Sequence, residues 1–259
     1  MKLARVQKGS DLFFAAVRGG RAFRLCGGLF DAPAETGESW ALEDIRLLPP
    51  VQPPNILCVG LNYRSHAAES GHREPDHPVL FLKATTSLCG PEDDIVLPAA
   101  APDEVDYEAE LAVVIGRTAR DVSEADALQY VLGYTCANDV SARDCQLRLD
   151  TQWTRGKSFN TFCPLGPLIE TELDPSSLSV CARLNGAIMQ SGCTADMIFS
   201  VPRLVSYCSH QMTLLPGTVL LTGTPDGVGF ARRPPVFLRP GDVVEVEIEG
   251  IGTLKNRVK

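Results

Sequence analysis

Val105-Asp-Tyr-Glu-Ala-Glu-Leu-Ala-Val-Val-Ile115 reads as a buried strand, for apart from its acids and one tyrosine it is wholly apolar. Successive side chains of a strand point to opposite faces, so residues two apart share one. Glu108 and Glu110 therefore lie on the face that continues into Ala112 and Val114. Val105, Tyr107, Ala109, Leu111, Val113 and Ile115 lie on the other. Two carboxylates in such surroundings repel each other and lose hydration, which is costly unless a cation compensates. A metal ion satisfies both at once. Buried bridges from Arg or Lys are the alternative that these residues alone leave open.

A second acidic run shows the contrast. Asp242-Val-Val-Glu-Val-Glu-Ile-Glu-Gly250 also spaces acids by two, at Glu245, Glu247 and Glu249. There Val244, Val246 and Ile248 alternate strictly with the glutamates, which is the pattern of a half-exposed strand with a solvated face.

Composition bounds the rest. The chain has 259 residues, 44% hydrophobic and 22% charged, enough for one large core or a main domain with a small one. Its 19 prolines and 22 glycines, spread along the chain, suggest many turns and a strand-rich fold. A net charge of −8 with no Lys/Arg cluster argues against a nucleic-acid or anionic-membrane binder. The opening Met-Lys-Leu-Ala-Arg-Val-Gln-Lys holds no signal-peptide core, and no apolar run approaches membrane-spanning length, so a cytoplasmic location is expected. The nine cysteines form no C-x-x-C pair and read as reduced, small core residues. Cys163, in Phe-Cys-Pro, has no basic neighbour in sequence and is read the same way.

Along the chain, residues 11–17 and 21–25 read as short strands, followed by a polar loop at 31–39. Leu47-Leu-Pro-Pro-Val-Gln-Pro-Pro54 is a stiff linker, dividing a small N-terminal β domain, 1–50, from a main domain, 51–259. Residues 56–60 form a buried strand. Residues 62–71 carry a short helix with Ser65 as cap and Gly71 as stop. At about two turns it is too short to be stable alone, so with the polar loop to Pro78 it could order only on binding. Residues 123–131 and 141–149 read as helices, and 131–138 as a strand leading into Asp139. From Leu178 strands return, at 178–185 with an Asn-Gly turn and at 219–222, interrupted by a helix over roughly 200–209.

Asp139, at a strand end, can meet Glu108 and Glu110 as a third oxygen ligand; alone, it would read as a helix cap or Asx turn. Three carboxylates without a histidine partner favour Mg2+, then Mn2+ or Ca2+, and disfavour zinc. His66 and Glu69, three apart on a helix, share a face. A carboxylate beside an imidazole orients it as a base, although such a pair is often only a solvated surface pair. His72, His77 and His210 have no such partner. Lys157, in Arg155-Gly-Lys-Ser-Phe159, sits in a strand-like or loop segment as a point charge for an anionic ligand. Thr222-Gly-Thr-Pro-Asp-Gly-Val-Gly229 is a glycine-rich turn offering the Thr224 hydroxyl and free backbone N–H groups. It lacks the lysine of a phosphate loop.

In this order the motifs resemble those of the fumarylacetoacetate hydrolase family. They are Gly-Leu-Asn-Tyr-Arg-Ser-His-Ala-Ala-Glu (60–69), Leu-Phe-Leu-Lys (80–83), Asp-Tyr-Glu-Ala-Glu-Leu (106–111) and Asn-Asp-Val-Ser-Ala-Arg-Asp (138–144). Residues 155–167 and 221–229 complete the set, which covers about 55–259. The resemblance implies an α+β fold, a mixed β-roll or β-sandwich core with peripheral helices, commonly a homodimer. By position it implies Glu108, Glu110 and Asp139 as Mg2+ or Mn2+ ligands. His66 and Glu69 would be a water-activating dyad on a lid; Arg143, Gln146, Lys157 and Thr224 would contact substrate oxygens. One departure is Thr218, in Pro216-Gly-Thr218, where the usual acid after Pro-Gly is replaced. The implied reaction is hydrolysis of a carbon–carbon bond in an acylpyruvate or other diketo acid through a metal-bound enolate. The same platform also serves isomerisation of 2-hydroxyhepta-2,4-diene-1,7-dioate and oxaloacetate-type decarboxylation. A non-catalytic dicarboxylate-binding protein is the alternative of another class.

Overall fold

The computed structural model describes residues 1–259, and two sheets dominate it. In the larger, twelve-stranded sheet the order across the main path is Ala34–Ala41, Arg21–Cys26, Asp11–Arg18, Lys2–Lys8, Cys163–Glu170, Val131–Asn138, Ala109–Ile115, Val219–Leu221, Ile56–Gly60 and Val79–Lys83. Its pairings are antiparallel except where Val219–Leu221 meets Ile56–Gly60 and Leu88–Cys89 meets Cys163–Glu170. A five-stranded sheet packs beside it: Ala187–Cys193, Ser179–Leu184, Val243–Ile248, Gly252–Val258 and Asp94–Ile95.

The 105–115 run decides where the cores lie. Leu111, Val113 and Ile115 join Val180, Val246 and Leu254 in the largest apolar cluster, between the sheets. Ala112 and Val114 join Ile56, Cys58 and Val219 in a second cluster on the other side. The strand is thus covered on both faces, which accounts for its near-unbroken hydrophobicity. The first strands continue the large sheet, with Lys2 opposite Glu170 and Leu3 opposite Ile169.

The 178–185 hairpin forms as expected, with Asn185 (φ 52°) and Gly186 (φ 83°) as its turn, the backbone that Asn-Gly favours. Helix Val201–Gln211 begins at Ser200, whose side chain accepts from the Arg203 N–H. Other expectations need correction. Residues 34–41 form an edge strand, not loop, and it is polar because most of it faces solvent. The 123–131 helix reduces to a 3-10 turn, Ala127–Tyr130. Its Ser123 hydroxyl accepts from Asp126 N–H at 3.2 Å, a bond that caps a turn as readily as a helix. The 141–149 helix is likewise replaced. Ser141–Ala142 pairs with Val105–Asp106, and Cys145–Leu149 forms one wide π-type turn closed by Asp150 N–H to Cys145 C=O at 3.1 Å. Ser65 is not the cap of helix Arg64–Glu69 but lies within its first turn, Tyr63 holds the cap position, and Asp196 Oδ2 accepts the Ser65 N–H. Gly71 does end that helix, at φ 69°.

Candidate active site

The acids converge through backbone pairing. The 105–115 run breaks at Tyr107–Glu108, so Val105–Asp106 and Ala109–Ile115 join different sheets. Asp139 N–H donates to Glu108 C=O at 2.9 Å, and Glu108 N–H donates to Asn138 Oδ1 at 3.0 Å. Glu108, Glu110 and Asp139 are all buried and present oxygens within 4.8 Å of one another.

Basic side chains surround this group, so the Arg and Lys bridges that the sequence left as an alternative are present beside the three converging acids. Arg143 Nε donates to Asp106 Oδ2 at 2.9 Å, its Nη1 donates to Gln146 Oε1 at 2.8 Å, and its Nη2 lies 2.7 Å from Glu108 Oε1. Lys157 Nζ donates to Glu108 Oε2 at 2.7 Å and Asp139 Oδ2 at 2.6 Å. Lys83 Nζ donates to the other Asp139 oxygen at 2.5 Å. Glu110 has no basic partner and accepts only the Gly223 N–H, at 2.6 Å.

These contacts set opposite proton affinities. Burial favours the neutral form of Glu108, but Lys157 and Arg143 outweigh it and hold its carboxyl well below the ordinary range. Burial, with the Asp139 and Glu108 charges, pushes Glu110 well above it. Burial opposes the Lys157 charge, yet Asp139 and Glu108 leave its pKa raised. A divalent cation fits this donor set. The offered atoms are carboxylate oxygens only, suited to Mg2+, Mn2+ or Ca2+, and Glu110 lacks the positive neighbour that a cation would be.

Lys157 lies on a helical turn, Thr154–Lys157, rather than in a strand or loop. Gly156 lets that turn approach: a Cβ there would lie 2.9 Å from Ala142 O and 3.0 Å from Gln146 N. Both are backbone atoms. Gly156→Ala is therefore expected to destabilise the protein by about 1–3 kcal/mol, read as a lowered thermal midpoint; an unchanged midpoint would contradict the close approach.

On helix Arg64–Glu69, His66 Nδ1 lies 3.2 Å from Glu69 Oε2, while Glu69 Oε1 accepts the Gly227 N–H at 2.9 Å. Burial raises the Glu69 pKa, but these two bonds outweigh it and leave it lowered. The 222–229 turn directs the N–H groups of three of its glycines inward. Gly223 donates to Glu110, Gly227 to Glu69 and Gly229 to Asp106, so the turn clamps three acids of this chain. Gly223 holds φ 97°, and a Cβ there would fall 2.8 Å from that of Asn62. The Thr224 hydroxyl donates to Ala109 C=O and accepts from Gln190, leaving a lone pair rather than a proton for a ligand.

Every site residue expected from sequence except Glu69 lines one cavity of about 260 Å3. His72, without a partner in the sequence reading, lines it too. Sequence reasoning missed Lys83 and Asp106 as members of the site. Asp106 carried a signal, since it shares the spacing of Glu108 and Glu110; it accepts from Arg143, Gly229 and Phe230. Lys83 closes an apolar strand with no local acid to announce its burial. Cys163 is buried, and burial pushes its thiol up to about 12, as suits a core residue. All nine cysteines are free. No helix is long and apolar enough to cross a membrane.

Residues 55–259 match the sequence profile described as fumarylacetoacetate (FAA) hydrolase C-terminal, and residues 1–50 match one described as Rv2993c-like, N-terminal. The chain belongs to the fumarylacetoacetate hydrolase family. Oxaloacetate tautomerase Fahd2a, mitochondrial, from Rattus norvegicus is 47% identical over 82% of this chain and 68% of its own length. The structure of 5-carboxymethyl-2-hydroxymuconate delta-isomerase from Mycobacterium smegmatis is 45% identical, with a TM-score of 0.91 over 100% of this chain and 99% of the other. That of 2-hydroxyhepta-2,4-diene-1,7-dioate isomerase from Mycobacterium marinum is 45% identical, with a TM-score of 0.90 over 100% and 98%. The α+β, sheet-dominated architecture is that of the fumarylacetoacetate hydrolase family, whose enzymes act on small molecules.

Proposed function

We propose that the chain catalyses proton transfer on a small 2-oxo acid, interconverting its keto and enol forms or shifting a double bond conjugated to them. The observation that carries this reading is the His66–Glu69 pair. With Nδ1 held by Glu69 and Glu69 held by Gly227, Nε2 is left for the cavity that His66 lines. A base oriented this way takes a proton from the carbon beside the oxo group and returns it at a neighbouring atom. A divalent cation held by Glu108, Glu110 and Asp139 would supply Lewis-acid polarisation of the substrate oxo group. Lys157 and Arg143 offset negative charge growing on the substrate oxygens, and Gln146 holds the Arg143 guanidinium in place. The names of the rat tautomerase and the two mycobacterial isomerases support proton transfer.

Hydrolysis of a carbon–carbon bond in an acylpyruvate-type diketo acid is the second reading, in which the same base activates a water. The same dyad would serve it, and the relatives' names, which speak of tautomerisation and isomerisation, leave it second. Enol-to-keto conversion of oxaloacetate with Mg2+, followed by loss of enol absorbance, separates the two. The wild type is expected to accelerate it. His66→Gln should lower kcat by about 100-fold or more while leaving Mg2+ affinity unchanged. Cleavage of acylpyruvate without faster tautomerisation would replace the first reading by the second.

A further inference from the structure

Strand Ala109–Ile115 loses one neighbour before it reaches the acids. Val219–Leu221 pairs with it at Ala112, Val113 and Val114, and the chain beyond leaves for the glycine turn. On that edge Ala109 and Leu111 have no strand partner, and a buried backbone group left unpaired is costly. Thr222 serves Leu111, its N–H and hydroxyl both donating to that C=O, at 3.2 and 2.8 Å. Ala109, the residue between Glu108 and Glu110, is served from farther off. Its N–H donates to Gln190 Oε1 at 2.8 Å, and its C=O accepts the Thr224 hydroxyl at 2.9 Å.

Gln190 lies on strand Ala187–Cys193 of the five-stranded sheet and is 1% exposed. Its Nε2 donates to Thr224 Oγ1 at 2.7 Å and to Pro225 C=O at 2.8 Å. A backbone N–H on one side and a backbone C=O on the other leave a single orientation for the amide. It thus takes the place of the peptide group that a neighbouring strand would supply. Ala109, Gln190 and Thr224 close a ring of three hydrogen bonds, each polarising the next. Two glycines let strand and turn meet this closely. A Cβ at Gly227 would fall 2.1 Å from Met189 O, and one at Gly192 2.4 Å from Pro225 Cβ.

We infer that Gln190 is a positioning residue for Glu108 and Glu110. It fixes the peptide between them and ties it to the turn whose Gly223 N–H holds Glu110. Gln190 does not line the cavity and donates to neither carboxylate, so it acts through the backbone. The role rests on the reading of Glu108, Glu110 and Asp139 as cation ligands, and adds a support for them in the second sheet. Its mark is selectivity among cations. Mg2+ demands near-ideal octahedral geometry at short range, whereas Ca2+ accepts larger and less regular sets of oxygens. Acids whose backbone is no longer held therefore lose Mg2+ before they lose Ca2+.

Calorimetric titration of metal-free wild type and Gln190→Met with Mg2+ and with Ca2+ reads this without turnover. Methionine keeps the length of the side chain and removes its hydrogen bonds. Gln190→Met is expected to bind Mg2+ at least about tenfold more weakly and Ca2+ less than about threefold more weakly. Equal losses for the two ions would mark a general loosening and overturn the inference, as would an unchanged Mg2+ affinity. Thr224→Val opens the same ring while keeping the bond from Ala109 to Gln190, and serves if Gln190→Met does not fold. Its Mg2+ affinity is expected to fall by at least about threefold relative to Ca2+, and an unchanged ratio overturns the inference too. Wild type that binds neither ion sinks the cation reading and the positioning role together, whereas wild-type binding matched by both variants sinks the positioning role alone.

Discussion

Glu110→Gln is expected to abolish divalent-cation binding while leaving the metal-free protein as stable as wild type or more so. Glu110 is the acid of the triad without a basic partner, and it sits beside Asp139 and Glu108, whose charges oppose its own. Neutralising it removes that repulsion, and the amide oxygen can still accept the Gly223 N–H. Wild type at a cation concentration of a hundred times Kd gains about 2.7 kcal/mol, a rise of several degrees in Tm. The variant should show no such rise. Its activity should fall by about a thousandfold, the equivalent of several kcal/mol of lost Lewis-acid stabilisation. Scanning calorimetry with and without Mg2+ checks both halves. A variant that still melts higher with Mg2+ would show that the ion binds elsewhere.

Lys157→Met has the opposite signature. Lys157 is 2% exposed and bridges Glu108 and Asp139, and removing one partner of a buried ion pair leaves charge uncompensated. The metal-free variant should lose about 3–5 kcal/mol, lowering Tm by about 10 °C. Added Mg2+ should restore more stability than it adds to wild type, because a like charge has left the cation's surroundings. A metal-free Tm within about a degree of wild type would mean that Lys157 contributes nothing to holding the acids together.

The two variants divide the cluster into a member tuned for the cation and members already balanced, and the sequence disclosed these unequally. The alternation of residues 105–115 foretold the two cores, because Ala112 and Val114 separate from Leu111, Val113 and Ile115 into different clusters. Strands written by alternation or by an Asn-Gly turn were legible for the same reason. The short elements were not. Ser123 makes a bond that turns and helices share, and Ser141 is drawn into a two-residue pairing with Asp106 that no local pattern encodes. The edge strand Ala34–Ala41 buries too little to leave an apolar signature. In the site, residue type and spacing announced the acids and the His66–Glu69 pair. Lys83 was quoted within a motif yet not assigned to the site, because its partner Asp139 lies 56 residues away.

The glycine turn at 223–229 grips Glu110, Asp106 and Glu69 across separations of 113, 123 and 158 residues. Those carboxylates are thus aimed by a stretch of chain made long after them. A ribosome-bound fragment halted before residue 223 would carry every acid of the triad but lack the N–H group that holds Glu110, so competence to capture metal should switch on late in synthesis, as one event rather than by degrees.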